Sequence, residues 1–490
     1  MSGYFNDLPD NIRLPFTYTE FDPSMADRGL SDMAFHVLLV GQKLATGTAE
    51  PLIPMRPTTG AQADVMFGAG SMLAEMVKAF LGANKLTKMS AIGVNDFDGG
   101  TKATGSLTFA GAVTGATPIC LYLGGKLTRL GTVNGDDAED VAASLAAAIN
   151  AKVDLPVTAT AAEGVVTLTA KHSGALGNDI DIRFGYSGED FPAGLGVTVA
   201  PMAGGAGNPD ALETVAALGG ERYHVIAWPW GDTASLNALK EELDSRFGPL
   251  RQIDGQAFLV KKGSFSEVTT FTAGRNDKHL TVFASEGSPT LPWVDCAASS
   301  GVIAYYADDD PARPFQTLPI PGVLAPRVED RWADFPEKNQ ALYEGCSVRS
   351  VNASGQVVFS NVITTYRFSE AGAETVAYLQ LNSLFTLSFL RYDWNNYLRL
   401  KYPRHKLASD DQGKRMNAGE PVMTPTLGKA EAINRMYEWM ARGLIEAPDD
   451  FKDHLVVERD SSNQNRLNWI MMPDLVNQFR IAATSIKFLI

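Results

Sequence analysis

The fold of this chain is decided by the stretch from Asn208 to Ala284, which has the sequence NPDALETVAALGGERYHVIAWPWGDTASLNALKEELDSRFGPLRQIDGQAFLVKKGSFSEVTTFTAGRNDKHLTVFA. Capped amphipathic segments alternate here with short apolar runs, a pattern typical of a parallel α/β sheet. Asp232-Thr233 opens a helix and Gly248-Pro249 ends it. The predicted elements, in chain order, are a helix over Ala211–Leu218, a strand over Tyr223–Trp228, a helix over Ala234–Phe247, a strand over Gln256–Val260, a helix over Ser264–Phe271 and a strand over His279–Ala284.

The same pattern occurs earlier in the chain and is then interrupted. Phe35–Val40 and Met89–Val94 are predicted strands on either side of a helix over Gly70–Leu81. Residues 98–204 are instead rich in Gly, Ala and Thr, with short β-like runs and one helix over Ala138–Asn150. We therefore predict an α/β core built from residues 27–97 and 205–335, with residues 98–204 inserted as a β-rich outer domain. We expect the glycines from Gly204 to Gly207 to act as a hinge and the core to tolerate removal of the insertion.

The two ends of the chain carry alternating apolar residues. Residues 1–26 are predicted to form an extended arm, because prolines disfavour helix there and Ile12, Leu14, Phe16 and Tyr18 alternate. Residues 336–478 are predicted to form an α+β domain, and residues 479–490 a terminal strand. The N-terminal arm either folds back on its own domain or docks on another subunit. The predicted elements of the C-terminal part are a hairpin of Gly345–Val351 with Val357–Tyr366, helices over Glu374–Tyr402 and Gly428–Ala441, and a hairpin of Leu455–Arg459 with Arg466–Met472.

Composition excludes several classes of partner. The 490 residues carry a formal net charge of -14, which disfavours binding to nucleic-acid phosphates. No apolar run approaches the roughly 20 residues that span a bilayer. The first ten residues lack the pattern of a signal peptide, so we expect synthesis and residence in the cytoplasm. Cys120, Cys296 and Cys346 are widely spaced and odd in number, which indicates free thiols.

Motifs for catalysis, cofactor binding or metal binding are weak or missing. The loop Gly204–Gly207 precedes a helix, but the Lys-Ser or Lys-Thr of a phosphate-binding loop does not follow it. The six histidines lack metal-binding spacing, although His224 and His279 both begin core strands, a placement that allows them to be neighbours. The predicted strand ends near Trp228, Val260 and Ala284 offer few polar groups. We predict no catalytic, cofactor-binding or metal-binding residue.

Two C-terminal segments resemble a known family. Phe389-Leu390-Arg391-Tyr392-Asp393, with Leu400–Ala408 after it, resembles the tail sheath proteins of Mu-like contractile-tail phages, and Pro473–Arg480 followed by an apolar end resembles the same family's C-terminus. The resemblance implies a subtilisin-like α/β core without enzymatic activity. It also implies a virion protein, assembled in the host cytoplasm into stacked hexameric rings that contract around the tail tube and drive it through the host envelope.

The resemblance further implies partners and contact residues. The partners are other copies of the chain, the tail tube protein, and baseplate and tail terminator proteins, with no nucleic acid, membrane insertion or cofactor. The terminal arms of such proteins exchange strands between subunits, and the tube contact lies in the C-terminal domain. The implied strand-exchange residues are Ile12, Leu14, Phe16, Tyr18, Ile481, Ile486, Phe488 and Ile490, and the implied tube contacts are Arg399, Lys401, Arg404, Lys406, Arg435 and Arg442.

Two other classes fit the same sequence less well. An α/β hydrolase or nucleotide-binding enzyme with an inserted β domain needs converging polar groups at the strand ends. A tail tube or baseplate protein is the other alternative, although a tube subunit is normally smaller and mostly β.

Overall fold

The computed structural model describes residue 30, residues 33–415 and residues 420–489. Ile12, Leu14, Phe16, Tyr18 and Ile490 therefore lie outside the described residues. The described chain is mixed α/β, with several sheets, and its contacts divide it into two compact units. The first unit contains residues 34–385 and 478–489, and the second contains residues 30 and 33 with residues 386–415 and 420–477.

A six-stranded sheet, here called the core sheet, lies in the first unit. Its strands pair in parallel, except that the last one at the edge is antiparallel to its neighbour. The helix-rich connections between the parallel strands place helices on both faces of the sheet. In spatial order the strands are Leu280–Ser285, Gln256–Lys262, Val225–Ala227, His36–Gln42, Lys88–Val94 and Pro54–Met55.

The core sheet is buried on both faces. Leu236 and Leu243, on one helix, belong to the same apolar cluster as Leu259 on a central strand. On the opposite face the thiol of Cys296 donates a hydrogen bond to the Phe258 carbonyl. Strands covered on both faces have near-continuous apolar sequences, as Gln256–Val260 does. The helices around this sheet are Gly60–Phe67, Met72–Ala83, Ala211–Ala216, Thr233–Phe247, Phe265–Ala273 and Pro292–Asp309.

The predicted helix starts in this unit have capping side chains. The Asp232 carboxylate accepts a hydrogen bond from the Ser235 amide at 2.9 Å, and Ser264 and Glu267 form a capping box. Such caps satisfy amides that have no partner within the helix. The alternation predicted over Asn208–Ala284 is therefore present, with boundaries displaced by a few residues.

Residues 98–204, here called the insertion, form two antiparallel sheets and one long helix. The helix spans Ala138–Asn150 as predicted, because Asp137 caps it. Two strands, Lys126–Leu130 and Val157–Ala162, were not predicted. The four-stranded sheet has the order Leu195–Ala203, Lys102–Gly111, Val165–Ser173 and Val157–Ala162, and the three-stranded sheet has the order Lys126–Leu130, Ile119–Leu123 and Ile182–Phe184.

Residues 336–385 pack with the core sheet and belong to the first unit, not to the unit that contains residues 386–415 and 420–477. Ser347 donates its amide hydrogen to the Val282 carbonyl at 2.8 Å and accepts from the Ala284 amide. The hairpin of Val348–Val351 with Val357–Asn361 therefore continues the edge of the core sheet. The helix Glu337–Tyr343 precedes this hairpin. The sequence prediction assigned residues 336–385 to the C-terminal domain, whereas here they lie in the same unit as the core sheet.

The long C-terminal helix starts later than predicted, at Leu381 instead of Glu374. Residues 374–380 are held outside the helix by backbone pairing of Glu374 with Phe368 and of Gln380 with Ile363. The helices from this point on are Leu381–Lys401, Asp410–Gly413, Pro425–Ala441 and Pro448–His454. The strands are Lys406–Leu407, Val422–Met423, Ile445–Glu446, Val456–Arg459, Leu467–Ile470 and Asp474–Leu475.

Candidate assembly surfaces

The carboxyl end of the last core strand holds buried ion pairs. Glu286 lies 3.6 Å from the Lys338 ammonium, and burial raises the pKa of the Glu286 carboxyl. Arg349 pairs with Asp295 at 2.5 Å. Beside them is a small cavity whose lining includes Ser285 but neither histidine nor cysteine. Ser285 therefore has no histidine base beside it, and the neighbouring Glu286 carboxyl is engaged with Lys338.

The cysteines are buried thiols. Burial raises the pKa of Cys296 and of Cys346 to about 12, so neither is a ready nucleophile. Within residues 33–415 and 420–489, no three His, Cys, Asp or Glu side chains are grouped so that they could hold a metal ion. No helix in the same part of the chain is long and apolar enough to cross a membrane.

Three buried histidines lie at the amino ends of the core strands. The His36 amide donates to His224 Nδ1 at 3.0 Å, and His36 Nε2 lies 2.9 Å from Ser90 Oγ. His279 Nδ1 instead contacts the side-chain amide of Gln256. The strand order places Gln256 between His224 and His279, so these two histidines, whose proximity the sequence left open, are separated by one strand. Burial lowers the pKa of His36 to about 4 and those of His224 and His279 to about 3.

The residues predicted to contact the tube differ in whether their charges are already paired within the chain. Arg399 and Arg404 are exposed, and neither forms a hydrogen bond or ion pair with another described residue. Lys401 pairs with Glu431 at 2.8 Å; burial alone would lower its pKa, but hydrogen bonds to Glu431 and to a tyrosine raise it. Lys406 pairs with Glu420 at 2.7 Å.

Arg435 is not available to a partner. Its side chain is buried in the second unit, and its Nε donates to Asp393 Oδ2 at 2.6 Å. Trp439 Nε1 donates to the same oxygen at 2.7 Å. This burial removes Arg435 from the candidate tube contacts. Arg442 is exposed and lies over the ring of Phe389, with 4.7 Å from the guanidinium carbon to the ring centre.

The residues Phe479–Leu489, here called the C-terminal segment, are fixed at one end only. Gln316 donates to the Phe479 carbonyl at 3.3 Å. Arg480 donates to the side chains of Asn361 at 2.7 Å and Asn382 at 3.2 Å. Sequence reasoning did not identify Arg480, since its partners are about 100 residues away.

Beyond Arg480 the C-terminal segment leaves its apolar side chains in solvent. Ile481 is 85% exposed, Ile486 84% and Phe488 78%. Residues 476–489 form no strand. Apolar side chains spaced along one segment and exposed in this way mark an interaction site.

A hairpin in the second unit has two open edges. Val456–Arg459 pairs with Leu467–Ile470, and no other described strand joins them. One face packs on the helix Pro425–Ala441, where Trp469 Nε1 donates to the Gly428 carbonyl at 3.2 Å. An isolated two-stranded hairpin is marginally stable, and unpaired edges accept further strands.

Comparisons with known proteins agree with these features. The family model of the phage tail sheath protein central domain matches residues 204–365, and that of the phage tail sheath C-terminal domain matches residues 374–488. The Mu-like prophage FluMu tail sheath protein of Haemophilus influenzae is 41% identical over 491 residues, covering all of both chains.

Among solved structures, the chain is similar to a sheath tail protein from Desulfitobacterium hafniense, with 14% identity, a TM-score of 0.47, and coverage of 94% of this chain and 100% of the other. It is also similar to the helical sheath of the anti-feeding prophage in its contracted state, with 12% identity, a TM-score of 0.49, and coverage of 98% of this chain and 99% of the other.

The two family models and the Haemophilus influenzae relative define a structural protein of contractile tails and not an enzyme. The chain belongs to the phage tail sheath family and, within it, to the Mu-like tail sheath proteins. The alternative of a hydrolase or nucleotide-binding enzyme is therefore set aside. The family resemblance predicted from Phe389–Asp393 and Pro473–Arg480 is confirmed.

Proposed function

We propose that copies of this chain assemble as stacked hexameric rings around a tail tube and contract to drive the tube through the host envelope. The single observation that carries this proposal is the C-terminal segment, which is anchored at Arg480 and exposes apolar side chains beyond it. A segment of this kind is suited to pair with another copy, because main-chain hydrogen bonds and apolar pockets together bind an added strand.

The proposed acceptor for such a strand is the hairpin of Val456–Arg459 and Leu467–Ile470. Its open edges supply backbone partners, and the exposed side chains of Val456 and Ile470 supply apolar contacts. Residues 12–18 are proposed to contribute a second exchanged strand. The arms then tether neighbouring subunits while the subunits move.

Contraction in this proposal rotates rigid subunits from a metastable extended array into one with larger buried interfaces. No nucleotide drives the change, because the free energy is stored when the extended array is built. We also propose that the core has a subtilisin-like fold, and the parallel strands of the core sheet support this. The proposed contact with the tail tube consists mainly of Arg399 and Arg404. Lys406 and Arg442 are proposed as additional contacts.

The proposed partners are other copies of the chain, the tail tube protein, and baseplate and tail terminator proteins. The proposed location is the phage tail, after assembly in the host cytoplasm. The proposed domains are the split core, the insertion and a C-terminal domain that starts near residue 386. This last boundary follows the packing of residues 336–385 against the core sheet.

Negative-stain electron microscopy of the purified chain tests the proposal. We expect striated hollow cylinders with six subunits per ring when the chain is expressed with its tail tube protein. A folded chain that stays monomeric at all concentrations, with and without the tube protein, contradicts it.

A further inference from the structure

His172 of the insertion lies between two parts of the core. Its Nε2 accepts a hydrogen bond from the Met72 amide at 3.1 Å, and its Nδ1 lies 2.7 Å from Asp96 Oδ1. Because Nε2 accepts, the ring proton is on Nδ1 and is donated to Asp96. Asp96 also accepts from the Ser173 amide and the Gln42 side chain. The first amides of the helix Met72–Ala83 need such an acceptor.

A buried carboxylate on the same helix also depends on the insertion. Glu75 is nearly fully buried and forms ion pairs with Lys78 of its own helix and with Lys126 of the insertion. Lys126 is fixed in turn by Asp154, through the carbonyl at 2.8 Å and the carboxylate at 3.0 Å. Removal of Lys126 would leave Glu75 with one cationic partner, and buried charges require pairing.

The other end of the insertion is held by a separate set of contacts. Lys262 of the core donates to the Asp179 carbonyl at 3.1 Å. Tyr186 of the insertion donates to the Ala325 carbonyl at 2.7 Å, and Arg327 of the core donates to the Phe184 carbonyl at 3.1 Å.

The two connections to the core are also paired with each other. The Thr101 amide donates to the Ala206 carbonyl at 2.8 Å, and the Thr101 hydroxyl donates to the Gly204 carbonyl at 2.7 Å. The Gly205 amide donates to Asn178 Oδ1 at 2.8 Å. The predicted hinge at Gly204–Gly207 therefore has fixed backbone partners.

We infer that the insertion is locked to the core and moves with it as one rigid body, with His172 and Lys126 as positioning residues. When the core of a subunit rotates, the insertion then rotates with it by the same angle. Any flexible segment that absorbs part of the motion has to lie outside residues 34–385. This inference is independent of the strand exchange proposed above. It also changes our expectation for the insertion: because the Met72 amide and Glu75 lose their partners, removal of residues 98–204 destabilises the core.

Native-state hydrogen exchange of the unmodified chain in increasing urea tests the inference. We expect the opening free energies of amides in the insertion strand Val165–Ser173 and in the core strand Lys88–Val94 to merge into one curve as urea increases. The merging should occur below the urea concentration of global unfolding. Exchange of the insertion at lower urea, while the core strand stays protected, overturns it.

Variants then test the two positioning residues. The double variant His172→Ala with Lys126→Met is expected to increase exchange in the buried insertion strand Ile119–Leu123, which contains neither substitution, at least tenfold more than in Lys88–Val94. The matched control is Lys102→Met, an exposed insertion lysine, which should change neither strand. An equal increase in both strands would show a general loss of stability and would overturn the assignment of the positioning role.

Discussion

The Asp393 carboxylate accepts hydrogen bonds from the Arg435 guanidinium inside the second unit, where both side chains are buried. Replacing Arg435 by Met leaves the Asp393 charge without its main partner, and breaking a buried pair in this way costs about 3–5 kcal/mol of unfolding free energy. Urea denaturation of the unassembled chain measures this loss.

Two further variants control this prediction. Arg399→Met removes an exposed arginine of the same unit and should change the free energy of unfolding by less than about 0.5 kcal/mol. Combining Arg435→Met with Asp393→Leu should recover much of the loss, because no buried charge remains. Equal stability of wild type and Arg435→Met would refute the assigned role.

The buried histidines predict acid sensitivity. His224 has a pKa lowered from 6.5 to about 3 by burial, so the unfolded chain binds its proton first as the pH falls. The stabilising contribution is complete above pH 6.5 and is lost progressively as the pH falls towards 3. Each such histidine adds a slope of up to about 1.4 kcal/mol per pH unit in this window.

Urea denaturation from pH 7 to pH 4 checks this expectation. His224→Asn should have a shallower decline of stability with acidification than the wild type. His454→Asn changes an exposed histidine and should keep the wild-type slope. An unchanged slope in His224→Asn would mean that its burial does not set the acid limit.

The apolar side chains at the end of the C-terminal segment are predicted to be needed for assembly and not for folding. Ile486→Ser with Phe488→Ser should leave circular dichroism and urea stability unchanged, since both side chains are exposed in the single chain. Electron microscopy should show loss of cylinders, as it should after deletion of residues 485–490. Normal cylinders from either variant would disprove the role of this segment, and Ser485→Ala serves as the neutral control.

The exposed arginines are predicted to contribute to tube binding. Charge reversal in Arg399→Glu with Arg404→Glu should weaken co-sedimentation with the tail tube at least about tenfold, because like charges across an interface cost several kcal/mol. The loss should shrink at high salt.

A matched double reversal on the insertion, Lys102→Glu with Arg129→Glu, controls for net charge. Both of its side chains are exposed, and it should bind the tube as the wild type does. Equal loss in the two double variants would point to net charge and not to a local contact.

Local signals in the sequence were sufficient for many elements but not for their long-range relations. The helix Ala138–Asn150 was predicted because Asp137 caps it and its apolar side chains share one face. The start of the helix at Leu381 was missed because the pairing of Glu374 with Phe368 competes with helix formation. Propensity alone does not contain that contact.

The candidate assembly surfaces likewise divide into residues that local sequence patterns identify and residues whose position depends on long-range contacts. The exposed Ile486 and Phe488 were singled out through the family resemblance, and that resemblance came from short motifs. The burial of Arg435 was not predictable, since it depends on Asp393, which lies 42 residues earlier on another helix of the same unit. The separation of His224 from His279 likewise depends on the strand order, which no local pattern determines.

The two edges of the core sheet have a consequence for how copies of this chain can associate. One edge is the two-residue strand Pro54–Met55, whose proline has no amide hydrogen, and the other is continued by Ser347. Neither edge offers a long row of free backbone groups to another copy. The largest sheet of the fold is therefore poorly suited to uncontrolled edge-to-edge fibre growth, which is compatible with the strand exchange proposed for the segments at the chain ends.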